Sequence, residues 1–391
     1  MRKSLKKRIY LDYAAGTPLD KGIYKAMEPY ILNNFGNPSA LYSEANAAKK
    51  ALANARQEVA GCLKALPKNI IFTSGGTEAN NLAIQGVVKA AKKARSHLIT
   101  SVIEHHSVLD VVNNLETEGC LVTKIKVTPA GLVGVKDVVS AIKPETVLVS
   151  IMFANSEIGS VQPIAEIGRA ILRYRQERNT IYPFWHVDAC QAVGLFDLDV
   201  NKLHVDLMTI NASKIYGPKG VGVLYARSGV PLKPIMQGGR QEWGLRPGTE
   251  NVAGAVGLAT ALKLAVKNRI RDYKNLSILQ SLFYSELSKK VPGARLNGPA
   301  FGPNRLPNNL NFLFSGIDGE TLVLYLDAAG VSAATGSACA TGEASGSYVL
   351  RALGRSEREA RESVRFTMGR QTTKNDVIHA IQAITSALLI L

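Results

Sequence analysis

The chain has 391 residues, 46% of them hydrophobic and 20% charged, the balance of an ordinary globular protein with apolar mass for a sizeable core. This excludes a disordered or fibrous chain, and at ~150 residues per domain the length favours two domains. Lys and Arg number 47 against 31 Asp and Glu, a formal charge of +16. Such a surplus favours acidic partners (nucleic acid, acidic proteins, anionic cofactors), and a solvated basic surface is an equal reading. No stretch reaches the ~18 uninterrupted apolar residues of a membrane span. The basic N-terminus, Arg2 to Arg8, runs into Leu11-Asp12 without an apolar signal core. Cys62, Cys120, Cys190 and Cys339 have neither metal-ligand spacing nor disulfide density. A cytoplasmic, reduced protein without a metal or membrane partner is expected.

In chain order, residues 69 to 73 read as a strand, followed by a Gly-rich turn and a helix from Thr77 to about Lys93. Residues 97 to 102 form the next strand, ending at Glu104-His105-His106, with a helix to about Glu118. The apolar runs 147–153, 181–187, 205–210 and 221–226 are further strands, the first of a type buried on both faces. Strands separated by helices imply crossovers and a mostly parallel, helix-covered sheet. Beyond Thr249-Glu250-Asn251 the pattern changes to one long helix, 252–290, stopped by Pro292-Gly293. A strand at 311–314, a helix at 319–330, a strand at 363–367 and a last helix from about Asn375 make a smaller α+β unit. Residues 333 to 347, almost all Ala, Gly, Ser and Thr around Cys339, read as a mobile loop. Cys62, Cys120 and Cys190 are expected to be buried structural cysteines.

In open α/β sheets ligands bind beyond the carboxyl ends of the strands. Those ends carry Ser74-Gly75-Gly76-Thr77, His105, Asn155-Ser156-Glu157, Asp188-Ala189-Cys190-Gln191 and Asn211-Ala212-Ser213-Lys214. Each has an ordinary explanation when taken singly. Gly75-Gly76 suits a phosphate at a helix N-terminus, yet is also a common tight turn. Lys214 is a candidate Schiff-base nucleophile or a surface lysine. Asp188 could hold a ring nitrogen protonated or merely cap a helix, and His105 could stack on a planar ring, shuttle protons or be structural. Together they are the parts of a pyridoxal phosphate site.

At this point the chain resembles, over nearly its whole length, the cysteine desulfurases of the NifS/IscS group within the class V aminotransferases. The resemblance rests on the segments 9–15, 35–39, 72–78, Glu104-His105, 186–189, 214–220, 248–251, Gly336-Ser337-Ala338-Cys339, 347–354 and Val364-Arg365-Phe366. It implies an α/β fold-type I architecture like aspartate aminotransferase. In that architecture 17–259 would be the large pyridoxal phosphate-binding domain, and 1–16 with 260–391 the small domain carrying the Cys339 loop. It also implies that Lys214 carries pyridoxal 5'-phosphate, Asp188 pairs with the ring nitrogen, and His105 stacks on the ring and acts in catalysis. Gly76, Thr77, Asn211 and Ser213 would bind the phosphate, with Thr249 reaching in from the second subunit of a homodimer. Gln191 and Ser156 would face the phenolic oxygen, Asn37 and Arg365 the carboxylate of L-cysteine. Cys339 would take the sulfur as a persulfide, release L-alanine and pass the sulfur to an acceptor protein, either an iron–sulfur scaffold or a tRNA-thiolation enzyme. Contact with tRNA itself would be weak.

Three positions depart from the family pattern. Asn211-Ala212-Ser213 stands where Ser-x-His is usual, Ser156 where Asn is usual, and Trp243 where a basic residue is usual. Rival readings are another class V enzyme, such as a selenocysteine lyase or small-amino-acid aminotransferase, and a sulfur-relay subunit or RNA-associated scaffold. The fold alone separates none of them.

Overall fold

The computed structural model describes residues 8–91, 95–336 and 346–391. Chain order begins with β1 (Ile9–Tyr10), α1 (Lys21–Leu32), α2 (Ser43–Leu63), β2 (Ile70–Thr73), α3 (Gly76–Ala91), β3 (His97–Ser101), α4 (His106–Thr117) and β4 (Leu121–Ile125). Then come α5 (Val135–Ser140), β5 (Thr146–Ser150), α6 (Ile164–Glu177), β6 (Phe184–Asp188), β7 (Leu207–Asn211), β8 (Gly222–Ala226) and α7 (Val252–Lys290). The remainder is β9 (Arg295–Leu296), β10 (Asn309–Leu313), α8 (Gly319–Ala328), β11 (Val331–Ser332), α9 (Tyr348–Ala352), α10 (Glu357–Arg361), β12 (Ser363–Thr367) and α11 (Lys374–Leu388).

Seven strands form the main sheet in the order β2-β8-β7-β6-β5-β3-β4. Strands β3, β5 and β6 are buried at every residue, because both faces are covered. Alternate residues serve opposite cores. Ile99, Val149, Trp185 and Met208 pack in one, while Leu98, Leu148, Phe184 and Leu207 pack with α3 and α4 residues in the other. Strand β8 pairs antiparallel with both β2 and β7, and all other neighbours are parallel. Strand β2 therefore runs with β7, and six strands present their carboxyl ends along one edge. The expected strand at 221–226 is the exception to the parallel sheet, since only a single helical turn separates it from β7 and no crossover helix is available.

Two strands are shorter than the apolar runs that announced them. The run 181–187 joins the sheet only from Phe184, because Pro183 has no N–H to give the ladder. The run 147–153 leaves the ladder after Ser150, yet the amide of Phe153 still donates to Asp188 O at 2.8 Å. Cys190 is buried as expected, whereas Cys62 and Cys120 are half-buried at core margins.

A separate core gathers Leu310, Phe312, Val364, Phe366, Ile381 and Ile384 around the sheet β12-β10-β9. Helix α7 spans both, its first half contributing Ala255 to Ala265 to the main core and its second half Leu276 to Leu287 to this one. The boundary expected at 259/260 falls inside this helix. Strand β1 pairs with β11, and bridges Asp12–Thr367 and Ala334–Arg365 bring the residues after each of them beside β12. The segment 337–345, and with it Cys339, lies outside the described residues.

The turn between β2 and α3 is pressed onto β8. A Cβ on Gly222 would lie 2.6 Å from the Gly75 carbonyl carbon, a backbone approach that no side chain can relieve. Gly222→Ala should therefore cost about 1–3 kcal/mol of stability through overpacking. Urea unfolding measures it, and a midpoint equal to the parent's would contradict this packing.

Candidate active site

Beyond the carboxyl edge of the sheet lies a cavity of about 270 Å³. Five of the six codirectional strands, all but the edge strand β4, supply its wall from residues at or just after their carboxyl ends. Gly76 and Thr77 come after β2, His105 and Ser107 after β3, Ser156 after β5, Asp188 and Gln191 at and after β6, and Asn211 with Lys214 from β7. Arg365 enters from β12.

Gly76 and Thr77 open α3, so their N–H groups have no acceptor in the preceding turn and carry the positive end of the helix dipole. A Cβ on Gly76 would stand 2.9 Å from Cys190 Sγ and 3.3 Å from Asn211 Nδ2. The absent side chain keeps this cradle open, and the Asn211 amide offers a further donor at its rim. Ser213 lies behind, its Oγ donating weakly to Asn211 Oδ1 at 3.4 Å and its carbonyl accepting from Thr17. It does not line the cavity.

Asp188 is buried at the end of β6. Its Oδ1 accepts from the Cys190 amide at 3.0 Å and its Oδ2 from Asn80 Nδ2 at 2.8 Å. The same Asn80 nitrogen donates to Ser107 Oγ at 2.8 Å. His105 caps α4, its Nδ1 accepting from the Ser107 amide at 3.1 Å with Ser107 Oγ at 2.8 Å. With Nδ1 an acceptor, the neutral ring carries its proton on Nε2. Burial lowers the proton affinity of His105, and the Lys214 charge adds to this against the pull of Asp188.

Lys214 follows β7 in a single helical turn, and its Nζ donates to Ala15 O at 2.8 Å. Burial lowers its pKa, with the Arg365 charge acting in the same direction. Arg365 is buried. Its Nη2 donates to Asp12 Oδ1 at 2.6 Å and its Nη1 to Ser156 O at 3.3 Å, while Nε is buried without a partner among the described residues. Gln191 donates from Nε2 to Ala14 O at 3.1 Å. Burial raises the Cys190 thiol well above its ordinary range, so it stays protonated and inert.

Two expected site residues stand apart in this chain. Asn37 is exposed and its Oδ1 accepts from the Ser39 amide at 2.9 Å. Thr249 is exposed at a separate hollow with Ser74, Gly220, Glu242 and Arg246. The loop carrying Thr249 is tied down twice. Arg246 pairs with Glu78 at 3.0 Å. Glu242 receives a two-pronged contact from Arg56, whose guanidinium lies 4.9 Å from the Phe72 ring and 4.5 Å from Trp243. These contacts hold Glu242 and Trp243 at φ 45° and 58°, a left-handed geometry costing roughly 1–2 kcal/mol per residue. Trp243 thus stacks on a cation where the family pattern has one.

The sequence reading did not single out Asn80, Ser107 or Asp12. Asn80 left a signal, being a polar residue in the buried row Gly76, Ala79, Ala83, Ile84 and Val87 of α3. Asp12 sits between buried Leu11 and Tyr13.

The class-V aminotransferase model matches residues 9–379. The cysteine desulfurase IscS of Clostridium botulinum is 43% identical over 380 residues, 97% of this chain and 94% of that protein. The chain belongs to the class-V aminotransferases, among the cysteine desulfurases of the IscS/NifS group. The human cysteine desulfurase is 41% identical over 96% of this chain and 80% of its own length. Among solved structures, a NifS-like protein superposes with a TM-score of 0.91 at 33% identity, covering 98% of this chain and all of that one. SspA in complex with cysteine follows at a TM-score of 0.80 and 34% identity, covering 93% and 99%.

Glu104, next to His105, is fully buried. Its Oε1 accepts from Ser101 Oγ at 2.5 Å and from the Met152 amide at 3.0 Å, and its Oε2 has no partner among the described residues. Burial, reinforced by the Asp188 charge, raises its pKa from 4.5 to about 8. Between those values the native chain keeps a proton that the unfolded chain has released. Stability therefore falls as pH rises through this window, by at most about 1.4 kcal/mol per pH unit. Glu104→Gln cannot ionise and should lose this slope. Urea unfolding of parent and variant between about pH 5 and pH 8 tests it, and a stability difference that stays flat would contradict a buried neutral acid.

Proposed function

We propose that this protein is a pyridoxal 5'-phosphate-dependent cysteine desulfurase converting L-cysteine to L-alanine, with Cys339 receiving the sulfur as a persulfide. The observation that carries the reading is the convergence of Lys214, Asp188 and His105 with the Gly76-Thr77 cradle on one cavity. The residues present fit the cofactor. The cradle at Gly76 is one that a Cβ would fill, and the Asn211 amide there supplies a phosphate donor despite the missing histidine. Asp188, Gln191 and Ser156 all line the cavity, the first suited to the ring nitrogen and the other two to the phenolic oxygen, Ser156 reaching less far than an asparagine would. Bound there, the cofactor supplies an electron sink for the pair left at the substrate α-carbon.

The remaining work belongs to the chain. Lys214, its proton affinity lowered by burial, is the attachment point and then the base for the Cα proton. Arg365, whose Nε has no partner among the described residues and whose Nη1 and Nη2 each keep a second hydrogen, would hold the substrate carboxylate, with Asp12 orienting the guanidinium. His105 presents its Nε2–H to the cavity as a stacking partner and hydrogen-bond donor. Cys339 attacks the substrate sulfur, the carbon–sulfur bond breaks, and the new sulfur–sulfur bond stays on the protein.

The proposal includes a homodimer. Ile31, Leu32, Phe35, Leu41 and Tyr42 are exposed on one short stretch, an apolar surface that monomers rarely leave open. Asn37 sits in that stretch, so the same contact decides where its amide lies, and Thr249 would reach the phosphate of the second chain. The large unit, 17–259, would hold the cofactor and the remainder the Cys339 loop, with α7 as the hinge. Cys339 must remain a thiol between turnovers, which suits the cytoplasm. The charge of +16 suits an acidic acceptor, an iron–sulfur scaffold or tRNA-thiolation enzyme, with at most weak contact to tRNA.

Alanine release from L-cysteine tests the activity and separates it from a transaminase or an inert relay. Cys339→Ser should bind the cofactor yet release no alanine beyond background, and Cys190→Ser should keep most of the activity. After one turnover, mass spectrometry should find one added sulfur on the Cys339 peptide. The adduct on Cys190, with Cys339 unmodified, would overturn the assignment.

A further inference from the structure

Asn80 lies on α3, carries no assigned role and is completely buried between the two groups on which the site turns. Its one amide nitrogen has two hydrogens, and both are committed, to Asp188 Oδ2 and to Ser107 Oγ, each at 2.8 Å. Its Oδ1 is buried without a partner among the described residues. The reverse orientation would set that oxygen against the Asp188 carboxylate, so the two donor contacts fix the amide at the expense of its acceptor.

The consequence passes to His105 through one hydroxyl. Because Ser107 Oγ accepts from Asn80, its own hydrogen is directed to the acceptor on its other side, His105 Nδ1 at 2.8 Å. The Ser107 amide reaches the same nitrogen at 3.1 Å. A proton on Nδ1 would face two donors, so it is excluded there. We propose that Asn80 is a positioning residue, one amide that orients the Asp188 carboxylate and, through Ser107, locks His105 in its neutral Nε2–H form. This rests on the reading of Asp188 and His105 as the groups that meet the cofactor.

The charges around His105 show what the lock opposes. Asp188 on β6 and Asp110 on α4 favour the imidazolium, while Lys214 after β7 and His106 disfavour it. Arg365 from β12 shares the cavity, and Glu104 precedes His105 on the same turn. Asp188 is thus both the anion that would draw a proton onto His105 and the partner of the amide that keeps it off. An imidazole held in this form keeps its one N–H, on Nε2, as a hydrogen-bond donor toward the cavity and adds no second positive charge beside Lys214 and Arg365.

The full-length protein labelled with 15N-histidine tests this, the His105 resonances being assigned by their loss in His105→Gln. The parent should show the Nε2–H tautomer at neutral pH. In Asn80→Ala the Ser107 hydroxyl is free to turn and accept, so that only the Ser107 amide still opposes a proton on Nδ1, and the His105 midpoint should rise by about one pH unit. Ser107→Ala should shift it the same way, and the double variant should add little, as for members of one chain of contacts. A folded Asn80→Ala whose His105 titrates as in the parent overturns the proposal. Should Asn80→Ala fail to fold, Ser107→Ala decides: a raised midpoint supports the lock and an unmoved one overturns it. The titration does not require that His105 touch a cofactor, so failure of the cofactor reading would appear separately, as protein without the visible absorbance of a bound pyridoxal group.

Discussion

The site depends on a carboxylate held in the interior at the end of a fully buried strand. Asp188 closes β6 with its neighbours on both sides parallel, where a charge is costly unless each oxygen is engaged. The Cys190 amide and the Asn80 side chain supply that engagement from opposite directions. Much else follows from satisfying it. Residue 190 becomes a buried, inert thiol beside the carboxylate, α3 must present a polar side chain from an apolar face, and Ser107 is brought within reach of His105.

Burial then sorts the titratable groups of the cavity by a common cause. Glu104 is pushed toward its neutral acid, His105 toward its neutral base, and Lys214 toward a free amine. Guanidinium Arg365 is buried too, and meets the difficulty differently, by an ion pair with Asp12 across the junction of the two cores. A cavity in which burial draws acids and bases away from their ordinary ranges is the kind of place where proton transfer is tuned. The replacement at Trp243 fits the same economy of charge. Arg56 is held between aromatic faces and Glu242, so the loop bearing Thr249 is anchored without the family's basic residue.

Most of the main sheet was legible, because strands buried on both faces announce themselves as continuous apolar runs. The limits of those runs were not. Pro183 delayed β6 by removing a donor, and β8 reversed direction because its connection from β7 is too short for a crossover. Helices α1, α2 and α6, and strand β4, escaped the reading, since residues such as those of β4 are half-exposed and carry no such run. At the site, strand-end positions predicted Gly76, His105, Asp188 and Lys214 by geometry alone. Asn37 and Thr249 came from resemblance, and one chain leaves them outside the cavity. Asn80 was missed because its partners are 27 and 108 residues away, contacts that only the assembled sheet creates.

The central claim is that Lys214, and no neighbouring lysine, is the group to which the cofactor is joined. Lys219 is five residues on and exposed, while Lys214 lies in the cavity wall with its amine on Ala15 O. Borohydride reduction of the protein with pyridoxal 5'-phosphate, followed by peptide mapping, measures this directly. The account predicts a stable label on Lys214 that disappears in Lys214→Ala. A label on Lys219, or no label in a protein that binds the cofactor, would contradict it.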